Sequence, residues 1–212
     1  MKKEKLELIH AALFHNLGRV VSRSHGRPDD IDLGKEWLKE QLPHLNFGGD
    51  NRTEKIITLA SHIASGSLDE NKVSKEKLFK PLADIFNAFK KKEEARYQKF
   101  EVLTDESELN IAVNETVDIS QDCYKELLNI LKEKLQQLPL EEESLPSFFN
   151  LWRTLFSKVP LLPGDKELGD LSLAEHSRLT VAFATAIFDY LENQGQDSLL
   201  DDSSNLYTAS AF

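Results

Sequence analysis

The N-terminal segment constrains the fold most, because residues 3–22 are predicted to form a helix that is apolar nearly all round. Four apolar residues recur at helical spacing on one side, and His15 lies almost opposite them among small and apolar neighbours. The stripe consists of Leu6, Ile9, Leu13 and Leu17. A helix of this kind is normally enclosed by other helices. The sequence therefore predicts a helical bundle with His15 facing its interior.

Amphipathic spacing predicts further helices along the chain. They cover residues 32–41, 53–65, 78–92, 124–137 and 145–156, and a last helix begins after Ser172. At that start Ser172-Leu-Ala-Glu175 forms a capping box, in which the Ser and Glu side chains satisfy backbone N–H groups reciprocally. The spacing that follows places His176 on the core side of the last helix. Residues 100–119 contain two short, alternating, β-branched segments, which predict a small β-hairpin.

We expect these elements to form one mainly α domain over residues 1–195, with the hairpin in an insertion around residues 96–120. Residues 196–212 are expected to be a weakly ordered tail. The 212-residue sequence has no apolar run long enough for a membrane span, and a cytoplasmic location with no membrane partner is expected. The single cysteine, Cys123, excludes an internal disulfide and is interpreted as a structural side chain.

The charge balance limits contact with nucleic acid. The net charge of −10 comes from 36 acidic and 26 basic residues, so the surface as a whole repels phosphate backbones. One local basic concentration is a candidate nucleic-acid contact: Lys80, Lys90, Lys91, Lys92, Arg96 and Lys99. The alternative, which we favour, is that these side chains form the solvated face of a helix.

Six short motifs follow one another between residues 8 and 191. They are Ala-Leu-Phe-His-Asn-Leu-Gly-Arg at 12–19, Leu-Ala-Ser-His-Ile-Ala-Ser-Gly at 59–66, Pro-Leu-Ala-Asp-Ile-Phe at 81–86, Trp152, Val159-Pro160, and Leu-Ser-Leu-Ala-Glu-His-Ser-Arg-Leu-Thr-Val-Ala at 171–182. In this order they resemble the N-terminal HD domain of the large subunit of type III CRISPR-Cas effector complexes. In an ordinary HD domain the Glu-His-Ser helix comes first. Here it comes last, as in a circularly permuted HD domain, so the resemblance implies a bundle of that type.

The resemblance also implies which residues stand at the metal positions: His15, Asn16, Ser61 and His176. The family has Asp at the second and third of these positions, so both carboxylates are missing. Two imidazoles alone hold a hard cation such as Mg²⁺ or Mn²⁺ poorly. We therefore expect no catalytic residue and no cofactor. As an alternative, His62 turns toward the site and rescues a divalent transition metal such as Mn or Ni.

Three functions are compatible with the sequence. The favoured one is a catalytically degenerate HD-like module that docks on other subunits of a CRISPR ribonucleoprotein complex, and so associates indirectly with crRNA and target RNA. The second is an active metal-dependent single-stranded DNA nuclease or phosphohydrolase with unusual ligands. The third is an unrelated helical adaptor. For docking, we expect an exposed apolar patch near the end of the last helix, formed by Phe188, Tyr190 and Leu191.

Overall fold

The computed structural model of the protein describes residues 1–41, 43, 51–66, 77–85, 87, 95–98, 100, 118–163, 169–195 and 200. These residues are mainly helical, which confirms the predicted fold class. The helices are α1 (Lys3–Phe14), α2 (Leu17–Ser24), α3 (Asp32–Gln41), α4 (Asn51–Ser65), α5 (Gln121–Leu135), α6 (Leu145–Phe156) and α7 (Leu173–Gln194). A short 3-10 turn, Glu142–Ser144, precedes α6.

Helix α7 organises the packing. It contacts α4, α1 and α6, while α2 packs against α3 and α5. An aromatic cluster fills the space between α1 and α6, where the ring centroids of Phe14 and Trp152 are 5.1 Å apart. None of the helices in the described part of the chain is long and apolar enough to cross a membrane.

The start of α7 shows the Ser172 half of the predicted capping box, while the Glu175 carboxylate pairs with Arg178 at 2.8 Å. The Ser172 side chain accepts a hydrogen bond from the Glu175 backbone N–H at 3.1 Å, and His176 is buried one turn later. The predicted helices at 32–41, 53–65, 124–137 and 145–156 are also present, with ends that shift by at most a few residues. Leu200, the described residue of the predicted tail, packs into the core.

The predicted continuous helix over residues 3–22 is wrong, because the chain turns at His15 and Asn16 and begins a second helix at Leu17. Asn16 has φ −91° and ψ 8°, outside the α-helical region. His15 keeps α-helical dihedral angles, with φ −49° and ψ −42°, so the helical phase changes only after it. The turn also frees the Asn16 side chain for tertiary contacts.

Two glycines allow α2 and α3 to cross closely. A Cβ atom at Gly18 would overlap the carbonyl oxygens of Asp30 and Ile31, and one at Gly34 would lie 2.5 Å from the backbone nitrogen of Gly18. The absence of side chains at both positions therefore brings the start of α3 against the turn that carries Asn16.

The predicted helix at 78–92 is wrong in its described part. The Ala83 N–H donates to the Gly169 carbonyl, and the Asp84 N–H donates to the Arg96 carbonyl, so the backbone pairs with distant segments. Pro81, which has no N–H, also disfavours a helix there. Most of the predicted hairpin at 100–119 lies outside the described residues. Isolated antiparallel bridges join Ala83 to Tyr97 and Pro160 to Ser172.

Candidate functional site

Three segments that are distant in sequence meet through buried hydrogen bonds. The Asn16 amide Nδ2 lies 3.1 Å from His176 Nδ1, and His176 Nε2 lies 3.2 Å from the Ser61 carbonyl oxygen. Asn16 is 0% exposed, His176 2% and Ser61 4%. These contacts join the α1–α2 turn to α7 and α4, so the structure brings together three of the four residues that sequence motifs assigned to one site.

Arg19 fixes the direction of these hydrogen bonds. Its Nε donates to Asn16 Oδ1 at 3.0 Å, which leaves the Asn16 amide nitrogen to face His176. The amide nitrogen can only donate, so His176 Nδ1 accepts and the ring proton is on Nε2. His176 Nε2 then donates to the Ser61 carbonyl. Each polar atom along this path has a partner, and we call the path from Arg19 through Asn16 and His176 to the Ser61 carbonyl the polar relay.

Asp29 anchors the relay at its far end. Its carboxylate accepts from Arg19 Nη1 at 3.2 Å and from Arg23 Nε and Nη2 at 2.9 and 2.7 Å. Arg23 is fully buried and also donates to the carbonyl oxygens of Pro160 and Leu161, both at 2.7 Å. The loop between α2 and α3 is therefore tied to α2 and to the segment before α7 by charge-assisted hydrogen bonds.

Both histidines of the site are neutral near pH 7. Burial lowers the pKa of His176 to about 4, opposed by its hydrogen bond to the Ser61 carbonyl and assisted by the nearby Arg19 charge. Burial lowers the pKa of His15 to about 3, and the charges of His176, Arg19 and Lys35 act in the same direction. Neutral imidazoles are compatible with hydrogen bonding in a buried site without a counter-ion.

His15 lies beside the polar relay, on the wall of a cavity of about 310 Å³ between α1, α3 and α4. Lys35 and Glu54 also line this cavity and form an ion pair of 2.9 Å with each other. His15 therefore faces a space of mixed polarity, and the charges of His176 and His62 contribute to the lowering of its pKa. The half-buried His62 lies on α4, next to Ser61.

At three of the four motif positions, the residues do not fit the metal that an HD domain implies. Both ring nitrogens of His176 are occupied, and the one lone pair of this neutral ring accepts from the Asn16 amide. The Asn16 oxygen accepts from Arg19, whose positive charge opposes a cation at this point. Ser61 contacts His176 through its backbone carbonyl. Within the described residues, no group of three or more His, Cys, Asp and Glu side chains is arranged to hold a metal ion.

The predicted exposure of the docking patch is wrong for two of its three residues. Phe188 and Leu191 are 4% and 3% exposed and belong to the core, because the inner face of α7 packs on α1 and α4. Tyr190 is 54% exposed, and its role in docking stays a prediction.

Of the six basic residues considered as a nucleic-acid contact, only Lys80 and Arg96 lie in the described part of the chain. Lys80 pairs with Asp118 at 2.9 Å, and Arg96 is exposed. Lys90, Lys91, Lys92 and Lys99 lie outside the described residues. Their proposed contact with nucleic acid therefore stays a prediction.

Sequence reasoning missed Arg19 and Asp29 as members of the site. Arg19 ends the first motif and lies one helical turn after Asn16, which is a spacing that brings the two side chains together. That spacing was the available signal. Asp29 lies in the loop after α2 and gave no comparable signal, because its pairing depends on how the loop folds back.

Comparisons with known proteins agree with the fold. The chain is 34% identical over 239 aligned residues to a single-strand-specific deoxyribonuclease, Cas10/Csm1 of subtype III-A CRISPR systems, from Streptococcus thermophilus. The alignment covers 100% of this chain and 31% of that protein. No family model matches the chain.

Solved structures of Csm1 share the fold. Csm1 of T. onnurineus aligns with a TM-score of 0.68 at 19% identity, over 87% of this chain and 28% of that one. The Csm1-Csm4 subcomplex of the type III-A CRISPR-Csm interference complex aligns with a TM-score of 0.67 at 18% identity, over 87% of this chain and 28% of that one. This chain is thus homologous to the Cas10/Csm1 large subunit of type III-A CRISPR systems, and it spans about three tenths of the length of these relatives.

Proposed function

We propose that this chain is a permuted HD-like module of a Cas10/Csm1-type subunit that has lost nuclease activity and acts as a structural and docking part of a type III effector complex. The homology supports the assignment to such a complex. The observation that carries the loss of activity is the polar relay, in which the Asn16 amide donates to the lone pair of His176.

The chemistry of the relay supports a structural role. A metal-activated hydroxide needs ligands with free lone pairs and carboxylates that offset the charge of the cation. Asn16 supplies a neutral amide where the resemblance implies a carboxylate, and its oxygen already accepts from Arg19. The same contacts that occupy these atoms hold α2, α4 and α7 together.

The alternative is an active nuclease with unusual ligands, and the name of the relatives favours it, since they are called single-strand-specific deoxyribonucleases. In that case His15 would be the accessible ligand, because it lines the cavity beside the relay. The third possibility, an unrelated adaptor, has no observation in its favour.

The partner we propose is the subunit corresponding to Csm4, because relatives of similar fold have been solved as Csm1-Csm4 subcomplexes. Contact with crRNA and target RNA would then be indirect, through the assembled complex, in the cytoplasm. The overall negative charge agrees with docking on protein and not on a nucleic-acid backbone.

One assay separates these functions. The 212-residue chain, alone and mixed with its Csm4-type subunit, is incubated with single-stranded DNA and Mg²⁺, Mn²⁺, Co²⁺ or Ni²⁺. We expect co-elution of the two proteins and no cleavage above that of a His15→Ala control. Metal-dependent cleavage that the H15A variant abolishes would overturn the loss of activity, and a failure to co-elute would overturn the docking role.

A further inference from the structure

We propose that the outer face of α7 is a docking surface for an amphipathic helix, which belongs to the part of a Cas10/Csm1-type large subunit that this chain does not contain. The partner helix is apolar along its centre and acidic at the end that meets Arg153 and Arg178. The inference rests on the docking role proposed above, to which it adds the surface and a partner besides the Csm4-type subunit. Six apolar residues at helical spacing define the outer face: Leu179, Ala182, Phe183, Ala186, Ile187 and Tyr190.

The outer face is apolar although it is open to solvent. Phe183 is 36% exposed and Tyr190 is 54% exposed. The one charged residue between positions 179 and 190 is Asp189, whose ion pair with Lys5 places it at the edge toward α1. The face itself carries no charge, in a chain of which 29% of residues are charged. Depletion of charge together with exposed aromatic side chains is typical of the centre of a protein interface.

Two alanines on the outer face leave room for another helix. Ala182 and Ala186 are both exposed and stand four residues apart, and the larger Phe183 and Ile187 side chains form the adjacent row. Rows of side chains four residues apart are the ridges and grooves through which packed helices interlock. The alanine row is a groove that admits the ridge of an apolar helix, so an amphipathic helix is the occupant that fits.

Two arginines lie at the N-terminal end of the outer face. Arg153 of α6 and Arg178 of α7 line, with Trp152, a groove of about 220 Å³. Arg178 stands four residues before Ala182, so their side chains are neighbours on the helix surface. Glu175 pairs with Arg178 at 2.8 Å, whereas Arg153 is exposed and has no ion pair with another described residue. The groove therefore keeps a positive charge that a carboxylate of the partner complements.

The size of the outer face and the charge of the chain favour one occupant. The face is about 17 Å long and about 10 Å wide, far less than the roughly 800 Å² per partner of a stable interface between two proteins. A second copy is disfavoured for this reason and because each copy has a net charge of −10. A small apolar face suits a contact between parts of one larger assembly. Streptococcus thermophilus Cas10/Csm1 contains such a part, since only 31% of its length aligns with this chain.

The test measures, by calorimetry, how the 212-residue chain binds Streptococcus thermophilus Cas10/Csm1 that lacks its aligned part and is produced with its Csm4-type subunit. Ala186→Arg places a bulky cation in the groove, at an exposed helical position where Arg is a good helix former. Asn129→Arg is the matched control, because it adds the same side chain at an exposed position of α5, which packs against α2 and α6. Wild type and N129R should bind alike, and A186R at least about tenfold more weakly, equivalent to about 1.4 kcal/mol. Thermal unfolding checks that A186R keeps the wild-type Tm.

A second variant tests the acidic end of the partner without changing the apolar groove. Arg153→Glu should weaken binding about threefold at low ionic strength, and about 1 M NaCl should remove the difference because it screens exposed charges. Lys39→Glu makes the same charge change at an exposed position of α3 and should leave the affinity unchanged. An equal effect of R153E and K39E would contradict an acidic partner end.

The outcomes separate this proposal from the proposed function. Equal affinity of wild type and A186R, no binding by wild type, or a wild-type dimer that A186R dissociates would each overturn the proposal. If the Csm4-type subunit alone binds wild type and A186R equally, the docking role stands and the outer face of α7 is not its surface. Cleavage of DNA by the unmodified chain would overturn the proposed loss of activity and leave the docking result unaffected.

Discussion

The two ends of α7 are joined to α4 and to the N-terminal part of the chain by different chemistry. Near its N-terminal end, His176 contacts Asn16 of the α1–α2 turn and the Ser61 carbonyl of α4 through buried, neutral hydrogen bonds. Near its C-terminal end the contacts to α1 and α4 are ion pairs that reach solvent.

The ion pairs at the C-terminal end involve two acidic residues of α7. Asp189 accepts from Lys5 of α1 at 2.7 and 2.8 Å. Glu192 accepts from Lys2 at 2.6 Å and from Arg52 of α4 at 2.9 Å, and the hydrogen bonds from these cations lower the pKa of its carboxyl. The Arg52 guanidinium also lies 5.1 Å from the centroid of the Phe188 ring.

The comparison shows why a site without catalytic ligands still constrains its residues. A buried polar atom that loses its partner costs its full desolvation penalty, so each member of the relay depends on the others. Exposed ion pairs compete with water and salt and contribute little individually. The N-terminal end of α7 should therefore be sensitive to single substitutions and the C-terminal end tolerant, although both ends join α7 to α4 and to the N-terminal part of the chain.

The largest effect is expected from His176→Leu. The leucine leaves the Asn16 amide nitrogen and the Ser61 carbonyl without their partner in a site that is almost fully buried. Two such losses should lower the free energy of unfolding by about 3 kcal/mol, which corresponds to a Tm lower by roughly 6–12 °C for a chain of this size. Thermal and urea unfolding measure both quantities. A Tm within about 2 °C of wild type would show that the relay is not a stabilising element.

The second-largest effect is a pH dependence of the free energy of unfolding, and a comparison of wild type with His176→Leu isolates it. The pKa of His176 is about 4 in the folded chain and about 6.5 when unfolded, so the unfolded state binds more protons between these values. The neutral ring makes its full contribution to the free energy of unfolding above about pH 6.5. This contribution is lost as the pH falls toward 4. Between about pH 7 and pH 5 this amounts to about 2 kcal/mol.

Urea unfolding of wild type and H176L at both pH values measures this loss. Because H176L lacks the titrating ring, the stability difference between the two proteins should shrink from about 3 to about 1 kcal/mol at the lower pH. Ionisable groups that do not interact with His176 affect both proteins alike and cancel in the comparison, whereas His15, whose pKa the charge of His176 lowers, does not cancel completely. A difference that is constant with pH would contradict a depressed pKa for His176.

The contrast between the two ends also separates what sequence patterns can predict from what they cannot. The start of α7 was predictable because the Ser172 side chain caps it locally, by accepting from the Glu175 N–H, and because the apolar spacing places His176 inward. Helices α3 and α6 were predictable because apolar residues recur at helical spacing within each of them.

The errors lie where distant partners override local preference. The turn at Asn16 places its side chain against His176, 160 residues away along the chain, a contact that no local pattern encodes. The segment around Ala83 is extended because its backbone pairs with Gly169 and its neighbour pairs with Arg96, contacts that no local pattern encodes. At the site, motif order correctly grouped Asn16, Ser61 and His176, but Asp29 became visible only from the folded loop.

The smallest effect is expected at the exposed end, from Asp189→Asn. This substitution removes the charge that Lys5 binds, but both side chains keep access to water, with exposures of 24% for Lys5 and 49% for Asp189. The free energy of unfolding should fall by only about 0.5 kcal/mol at low ionic strength, and about 1 M NaCl should abolish the difference because it screens exposed charges. Urea unfolding of D189N at the two salt concentrations measures this. A loss as large as that of H176L, or one that persists in high salt, would show that the two ends of α7 are held with equal strength.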